Sequence, residues 1–288
     1  MLFVVGFLFI VCQSSALAWE SVFNFSFFAA YDNNADPSAQ NGAAWIGRSL
    51  LDGKLFGNLA GGELSTKFVV ASDQYLVKSI PSNMTLSFKP AYYLKLIDNI
   101  LDGKLSYRYA RNFRYSLGSG DTSDPALEPY SGHRINFDLR YFLDTLKVGP
   151  ALSWERKTYP ALSLSDGTTD LAIEGELVLS KKFYFNAEFG KELISSTDAN
   201  YVANGPLWSL GASWQVTQSL TILGYFKQLY LNYSARSDRS SLLVFSIEQA
   251  MSKNIAVLFD ISRLNYNSTD SAYSYSSTEY ATGLSCVF

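Results

Sequence analysis

The residue types that could do covalent chemistry are sparse in this chain. It holds one histidine, His133, two positions after Ser131. A nucleophilic serine needs a base within hydrogen-bond reach, itself oriented by a third group. Neighbours two apart in sequence seldom reach that geometry, and no G-x-S-x-G turn occurs. Glu174 and Glu176 form a carboxylate pair that could divide acid and base roles. Two positions apart on an extended chain, they share a face and equally build a charged wall. Metal binding has less support still: there is no cysteine–histidine cluster and no H-x-x-x-H. Asp121 and Asp124, in a polar stretch, would hold calcium only weakly. We therefore expect no catalytic residue, no metal site and no cofactor.

What the charged residues do share is alternation. Along 134–143, Arg134, Asn136, Asp138 and Arg140 interleave with Ile135, Phe137, Leu139, Tyr141 and Leu143. Along 183–190, Phe183, Phe185, Ala187 and Phe189 interleave with Asn186, Glu188 and Gly190. Along 207–216, Trp208, Leu210, Ala212, Trp214 and Val216 interleave with Ser209, Gly211, Ser213 and Gln215. A period of two is the signature of a strand with one apolar face, since a helix would smear these residues around its axis. The segments run about 10 to 14 residues, longer than the usual 5 to 6 of soluble strands. That length suits a tilted crossing of about 25 Å of hydrocarbon.

The connections alternate too. Short ones fall at Asp144-Thr145, Lys181-Lys182, Thr217-Gln218 and Ser252-Lys253, and long polar ones near 117–131, 160–168, 195–205 and 267–277. Aromatic residues collect at both ends of the strands. Tyr141, Phe183, Trp214 and Phe288 lie by the short turns, and Tyr115, Trp154, Trp208, Tyr230 and Tyr280 lie toward the long ones. Two such rings match the depth of a bilayer's two interfaces. The expected fold is all-β: a single closed antiparallel transmembrane β-barrel with short periplasmic turns and longer extracellular loops.

The last strand, Tyr280-Ala281-Thr282-Gly283-Leu284-Ser285-Cys286-Val287-Phe288, ends in phenylalanine with Tyr280, Leu284 and Cys286 on the same face. This ending resembles that of Gram-negative outer-membrane β-barrels of the porin-like superfamily. The resemblance implies that Tyr280, Leu284, Cys286 and Phe288 form the signal read by the barrel-assembly machinery during insertion. It also implies a place in a bacterial outer membrane, among outer-membrane lipid and lipopolysaccharide. The shared motif is these nine residues, and they identify a class.

Residues 1–18 carry an apolar run from Leu2 to Cys12 and a small-x-small site at Ala16-Leu17-Ala18. This is the layout of a signal peptide, with the barrel expected over 19–288. The run is shorter than the roughly 20 residues of a membrane helix. Aromatic residues make up 15% of the chain, Cys286 is the one cysteine outside the leader, and the formal charge is −3. No internal disulfide is therefore available, and the charge speaks against nucleic-acid binding.

Pairing hairpins backwards from the C-terminus gives twelve strands between 62 and 288. Phe23 to Asp32, with a return strand at 43–51, raises the count to fourteen. The repeat Leu51-Asp52-Gly53-Lys54-Leu55 and Leu101-Asp102-Gly103-Lys104-Leu105 offers Asp-Gly turns at both places. Fourteen strands are the expectation, and twelve with a plug or periplasmic segment over 19–61 is the alternative.

Parity then assigns the lumen. Its basic members are Lys67, Lys89, Lys95, Arg108, Arg114, Arg134 and Arg140, with Asp73 and Asp138 among them. Its acidic members are Glu174, Glu176, Glu188, Glu192, Glu248 and Asp260. A basic wall facing an acidic wall suits a passive pore for small hydrophilic solutes. The other reading pairs these charges across the lumen and closes it, leaving a structural or adhesive barrel whose partner is another outer-membrane or surface protein. Phe28, Tyr93 and Tyr184 share the lumen parity and are read as packing. Arg156 and Arg263 share the outward parity near loop ends, where they can reach lipid headgroups.

Overall fold

The computed structural model describes residues 20–36, 42–59, 61–76, 82–115 and 129–288. Residues 1–18, expected to be a signal peptide, and the acids Asp121 and Asp124 lie outside them. Fourteen antiparallel strands close into one barrel, each bonded to its neighbours in sequence. They are β1 (Glu20–Asp36), β2 (Gly42–Leu59), β3 (Gly62–Tyr75), β4 (Ser82–Ile97), β5 (Leu101–Tyr115), β6 (Ser131–Leu143) and β7 (Leu146–Tyr159). The second half is β8 (Leu164–Ser180), β9 (Phe183–Ser196), β10 (Ala203–Gln215), β11 (Leu220–Tyr233), β12 (Ser237–Ala250), β13 (Ile255–Ser268) and β14 (Tyr275–Val287). The twelve-strand alternative is excluded, because β1 and β2 complete the ring.

Closure is made by β1 against β14, in register from Asn24↔Val287 to Asp32↔Glu279. At the last step Phe288 donates its N–H to the Phe23 carbonyl at 2.8 Å, and Phe23 donates back to Phe288 at 3.3 Å. A closed ring leaves no unpaired strand edge in hydrocarbon. Even the shortest strands have 13 residues. At about 3.3 Å per residue and a tilt near 40°, they stand roughly 33 Å tall, taller than the apolar band.

The outward face is the apolar one. Phe27, Leu105, Ile173, Phe189, Leu210, Leu243 and Leu284 are each more than half exposed. In a soluble protein such a surface would aggregate; here it is solvated by lipid. The interior is correspondingly not an oily core. An apolar cluster of Ala30, Ile46 and Ala281, with Phe28 and Tyr75 against it, lies high on the inner wall where the seam closes. Phe28 lies over Gly283, where a Cβ would meet its ring at 2.5 Å. That placement agrees with reading Phe28 as packing.

Two expectations about turns are corrected. Asp52 and Gly53 lie inside β2, and Asp102 and Gly103 lie inside β5. The chain turns instead after Leu59, with Gly61 at φ 81°, and at Asp98–Ile100, with Asn99 at φ 58°. Gly53 is needed for another reason: on the outer face Phe23 covers it, and a Cβ would stand 2.7 Å from the ring. Asp52 points inward to an ion pair with Lys67 at 2.8 Å. The extracellular connections near 160–168, 195–205 and 267–277 are also shorter than expected. The ladder continues to Tyr159↔Leu164, Ala203↔Ile194 and Tyr266↔Tyr275. Main-chain hydrogen bonds hold polar residues in strands above the membrane as well as apolar ones within it.

Gly53→Val should lower the urea unfolding midpoint in lipid vesicles by about 1–3 kcal/mol of stability, the usual cost of overpacking. Gly224→Ala, with open space around its Cβ, should leave the midpoint near that of the parent. Equal midpoints for the two variants would contradict the Phe23–Gly53 contact.

Candidate functional site

The inner wall is built by register. On β2 and β3, Arg48 stands opposite Asp73 and Lys54 opposite Lys67. On β3 and β4, Lys67 stands opposite Lys89. From there the pairing carries one face round the ring: Lys95↔Asp102, Lys104↔Asp138, Arg108↔Arg134, Arg134↔Glu155, Lys147↔Glu176, Glu174↔Glu188 and Asp170↔Glu192. Glu248 and Asp260 continue it on β12 and β13, Asp260 opposite Ala281. Arg140 stands opposite Asp102, and Arg114 is placed opposite Asn83. Lys67, Lys89, Lys95, Arg108, Arg134, Asp138, Arg140, Glu174, Glu176, Glu188, Glu192, Glu248 and Asp260 thus share one face.

The charges on this face meet along the wall. Arg108 on β5 reaches over β6 to Glu155 on β7 at 2.6 Å. Arg134 on β6 contacts Glu155 at 3.7 Å and reaches over β7 to Asp170 on β8 at 3.2 Å. Arg140 makes the same step to Glu174 at 3.6 Å. Lys104–Asp138 at 3.5 Å and Lys147–Glu176 at 2.6 Å join adjacent strands. Arg48 bonds Asp73 on adjacent β3 at 2.7 Å and, across the seam, Glu279 on β14 at 2.8 Å. Among the described residues, every ion pair joins strands that are adjacent or one apart, or lies within the β11–β12 hairpin. None crosses the lumen.

Hydrogen bonds brace the same ladder. Ser153 donates to Asp170 at 2.7 Å, the Arg134 Nε–H donates to Asn136 at 2.8 Å, and Asn136 donates to Ser106 at 3.0 Å. Long arginines are suited to this work because a planar guanidinium can serve two acceptors at once. Lys89, Lys95 and Lys227, and on the acidic side Glu188, Glu192, Glu248 and Asp260, have no oppositely charged partner within ion-pair distance among the described residues. A recess of about 250 Å³ in the periplasmic half of the wall is lined by Arg140, Lys147, Glu174, Glu176, Glu188 and Tyr225.

The extracellular mouth has its own fixed point. Arg236, between β11 and β12, lies between the rings of Tyr233 and Tyr273, its Cζ 4.3 and 4.1 Å from their centroids. It pairs with Asp238 at 3.1 Å, and Tyr266 donates its hydroxyl to the same carboxylate. Burial opposes the Arg236 charge, but the hydrogen bond and charge of Asp238 outweigh it and hold the guanidinium pKa above its ordinary value. Tyr266 in turn stacks on Tyr275.

His133 stands within β6 on the outward face, its Nδ1 2.7 Å from the Tyr107 hydroxyl and its ring beside Tyr109. It belongs to the aromatic belt and not to a serine pair. Among the described residues no group of three His, Cys, Asp or Glu is arranged to hold a metal. Tyr280, Leu284 and Cys286 face outward on β14 opposite Tyr31, Phe27 and Phe25.

Sequence reasoning missed Arg48, Asp52, Lys104, Lys147, Glu155 and Asp170. Their signal was the same parity. On β7, for example, Lys147, Ser153 and Glu155 alternate with Val148, Leu152 and Trp154. What parity lacks is partnership, because it cannot show that an arginine reaches over a strand.

No protein-family model matches the chain, and no curated protein matches it. Solved structures do. The anion-selective porin from Comamonas acidovorans superposes with a TM-score of 0.53 at 12% identity, over 94% of this chain and 100% of that one. The outer-membrane channel DcaP of Acinetobacter baumannii gives a TM-score of 0.59 at 8% identity, over 96% and 99%. The CymD monoaromatic hydrocarbon channel gives 0.56 at 10%, over 93% and 87%. At these identities the likeness is one of fold: the chain has the closed antiparallel β-barrel fold that these outer-membrane porins and channels share.

Glu155 is 9% exposed and serves two arginines. Glu155→Gln should destabilise the barrel by about 1–3 kcal/mol, below the 3–5 of a dry buried pair, because the arginines stay partly wet. A double-mutant cycle with Arg108→Gln, read by urea unfolding, should give a coupling energy clearly different from zero. Strict additivity would show that the pair does not form.

Proposed function

We propose that this chain is a passive outer-membrane channel for small hydrophilic solutes. One observation carries the reading: the ion pairs of the inner wall run along the wall, between near-neighbour strands, and none among the described residues bridges the lumen. A barrel closed by its own charges would need them to meet across it. Pairing along the wall holds the long side chains flat and leaves the centre to water.

The charges left over give the lumen its polarity. Lys89 and Lys95 stand on β4. Glu248 on β12 and Asp260 on β13 lie nearly half the ring away, with Glu188 and Glu192 on β9. The basic wall is weaker than parity alone implies, since Arg108, Arg134 and Arg140 are neutralised by carboxylates of β7 and β8. The field we infer across the lumen therefore comes from these unpaired groups, and it biases which small ions enter. On the same reading, β14 and the Phe288 that follows it are the segment presented to the assembly machinery.

Purified refolded protein in a planar bilayer should show discrete conductance steps, with a reversal potential that moves under a salt gradient. Lys89→Glu should shift that potential toward cation preference and Glu248→Lys toward anion preference. Neither residue carries an ion pair whose loss would confuse the reading. A silent bilayer, with folding verified by heat-modifiable mobility, would instead support a closed barrel that works through its external surface.

A further inference from the structure

The outer wall holds a charge pattern that the channel reading does not use. Among the described strand residues, every charged side chain on the outward face is cationic: Arg111, Arg156, Lys191, Arg239 and Arg263, each of them exposed. Their cross-strand partners are outward residues, such as Leu86 for Arg111, Tyr230 for Arg239 and Leu243 for Arg263. No aspartate or glutamate of a strand shares this face, although the inner wall carries many. All five cations lie in the extracellular half of their strands. An arginine at mid-membrane on a barrel's lipid face costs about 2–4 kcal/mol, falling to about 0–1 near the interface. Arg111, Arg156 and Arg239 stand two to four residues from the extracellular ends of their strands, at headgroup height, and Lys191 and Arg263 stand five residues from theirs, from where a long side chain extends upward to the headgroups.

Two of them flank a groove. On β12–β14, Arg239, Ser241, Asn265, Asn267 and Ser276 line an outward recess of about 510 Å³, a size ordinary for small-molecule sites. Arg263 lies just below it and donates from Nε to the Asn265 side-chain oxygen at 3.3 Å. Arg239 stacks over Tyr230, with its Cζ 5.2 Å from the ring centroid. Neither arginine has a carboxylate partner among the described residues. Beneath the groove the outward residues become apolar: Leu243, Phe245, Ile261 and Tyr280.

From top to bottom the surface thus offers hydroxyl and amide groups, then guanidinium, then hydrocarbon. We propose that this groove binds a phosphorylated glycolipid of the outer leaflet. Arg239 and Arg263 take its phosphate, Ser241, Asn265, Asn267 and Ser276 take sugar hydroxyls, and the apolar belt takes the acyl chains. Guanidinium is matched to phosphate by charge and by its planar fork. A second copy of this chain is a poor occupant, because it would bring arginine to a face without carboxylates.

The test uses the full refolded chain in detergent, incubated with a diphosphorylated glucosamine-disaccharide glycolipid and read by native mass spectrometry. The parent should retain the glycolipid. The Arg239→Gln/Arg263→Gln variant should retain it roughly tenfold less or weaker still, as expected for losing charge-assisted hydrogen bonds. The same glycolipid stripped of phosphate should bind the parent as weakly as the intact one binds the variant. Conductance and heat-modifiable mobility of the variant should match the parent, which separates this site from the lumen. Undiminished retention by the variant, or by the dephosphorylated glycolipid, would overturn the proposal. Displacement by inorganic phosphate at equal concentration would also overturn it, by showing a free-anion site. A change in oligomeric state in the variant, with glycolipid retention intact, would reassign the face to contact between copies.

Discussion

The structure depends on one constraint: no backbone N–H or C=O can be left unpaired in hydrocarbon. A sheet satisfies it only by closing, and this one closes where β14 meets β1. The reciprocal bonds between Phe23 and Phe288 fasten the last step of that seam. Once the ring is closed, each strand has one face toward lipid and one toward the lumen. Alternation is then the whole rule of placement, and an inserted residue would reverse every side chain beyond it.

From that rule follows the partition of charge. Among the described residues, carboxylates of the strands lie on the inner face, because lipid cannot solvate them and the cations and hydroxyls of that face can. The inner arginines are long enough to pass over a neighbouring strand, so they satisfy carboxylates two strands away without leaving the wall. Pairs of this kind in partial contact with water add modest stability each. Their larger effect is geometric: they tie long side chains to neighbouring strands of the same wall. Where the outer surface rises out of hydrocarbon, charge is tolerated again, and the charges found there are cations.

Glycine shows how packing overrides local turn chemistry. Asp52-Gly53 reads as a hairpin turn by composition, yet the chain runs straight through it. Phe23 from β1 occupies the space that a side chain at 53 would take, and Lys67 from β3 claims Asp52. Both partners come from other strands, so no local window could reveal them. Asn99, by contrast, carries a local signal for a left-handed turn, since asparagine tolerates positive φ better than most residues.

The alternation of apolar with polar residues, the strand lengths and the aromatic ends determined by themselves that this chain is a transmembrane barrel. They also put residues as far apart as Lys67 and Asp260 on one face, the face that strand register gives them, because a period of two has a single register with lipid. The fourteen-strand count was legible from Phe23 to Asp32, because an even-numbered ring needs a return strand beside it. The partners were decided only by the tertiary structure. Arg134 finds Asp170 over an intervening strand, Arg48 finds Glu279 across the seam, and Arg239 comes beside Asn265 and Ser276 on the outer wall. The physical reason is that parity is a property of one strand. Which charge meets which depends on strand register, side-chain reach and ring closure, and these exist only when the barrel is assembled.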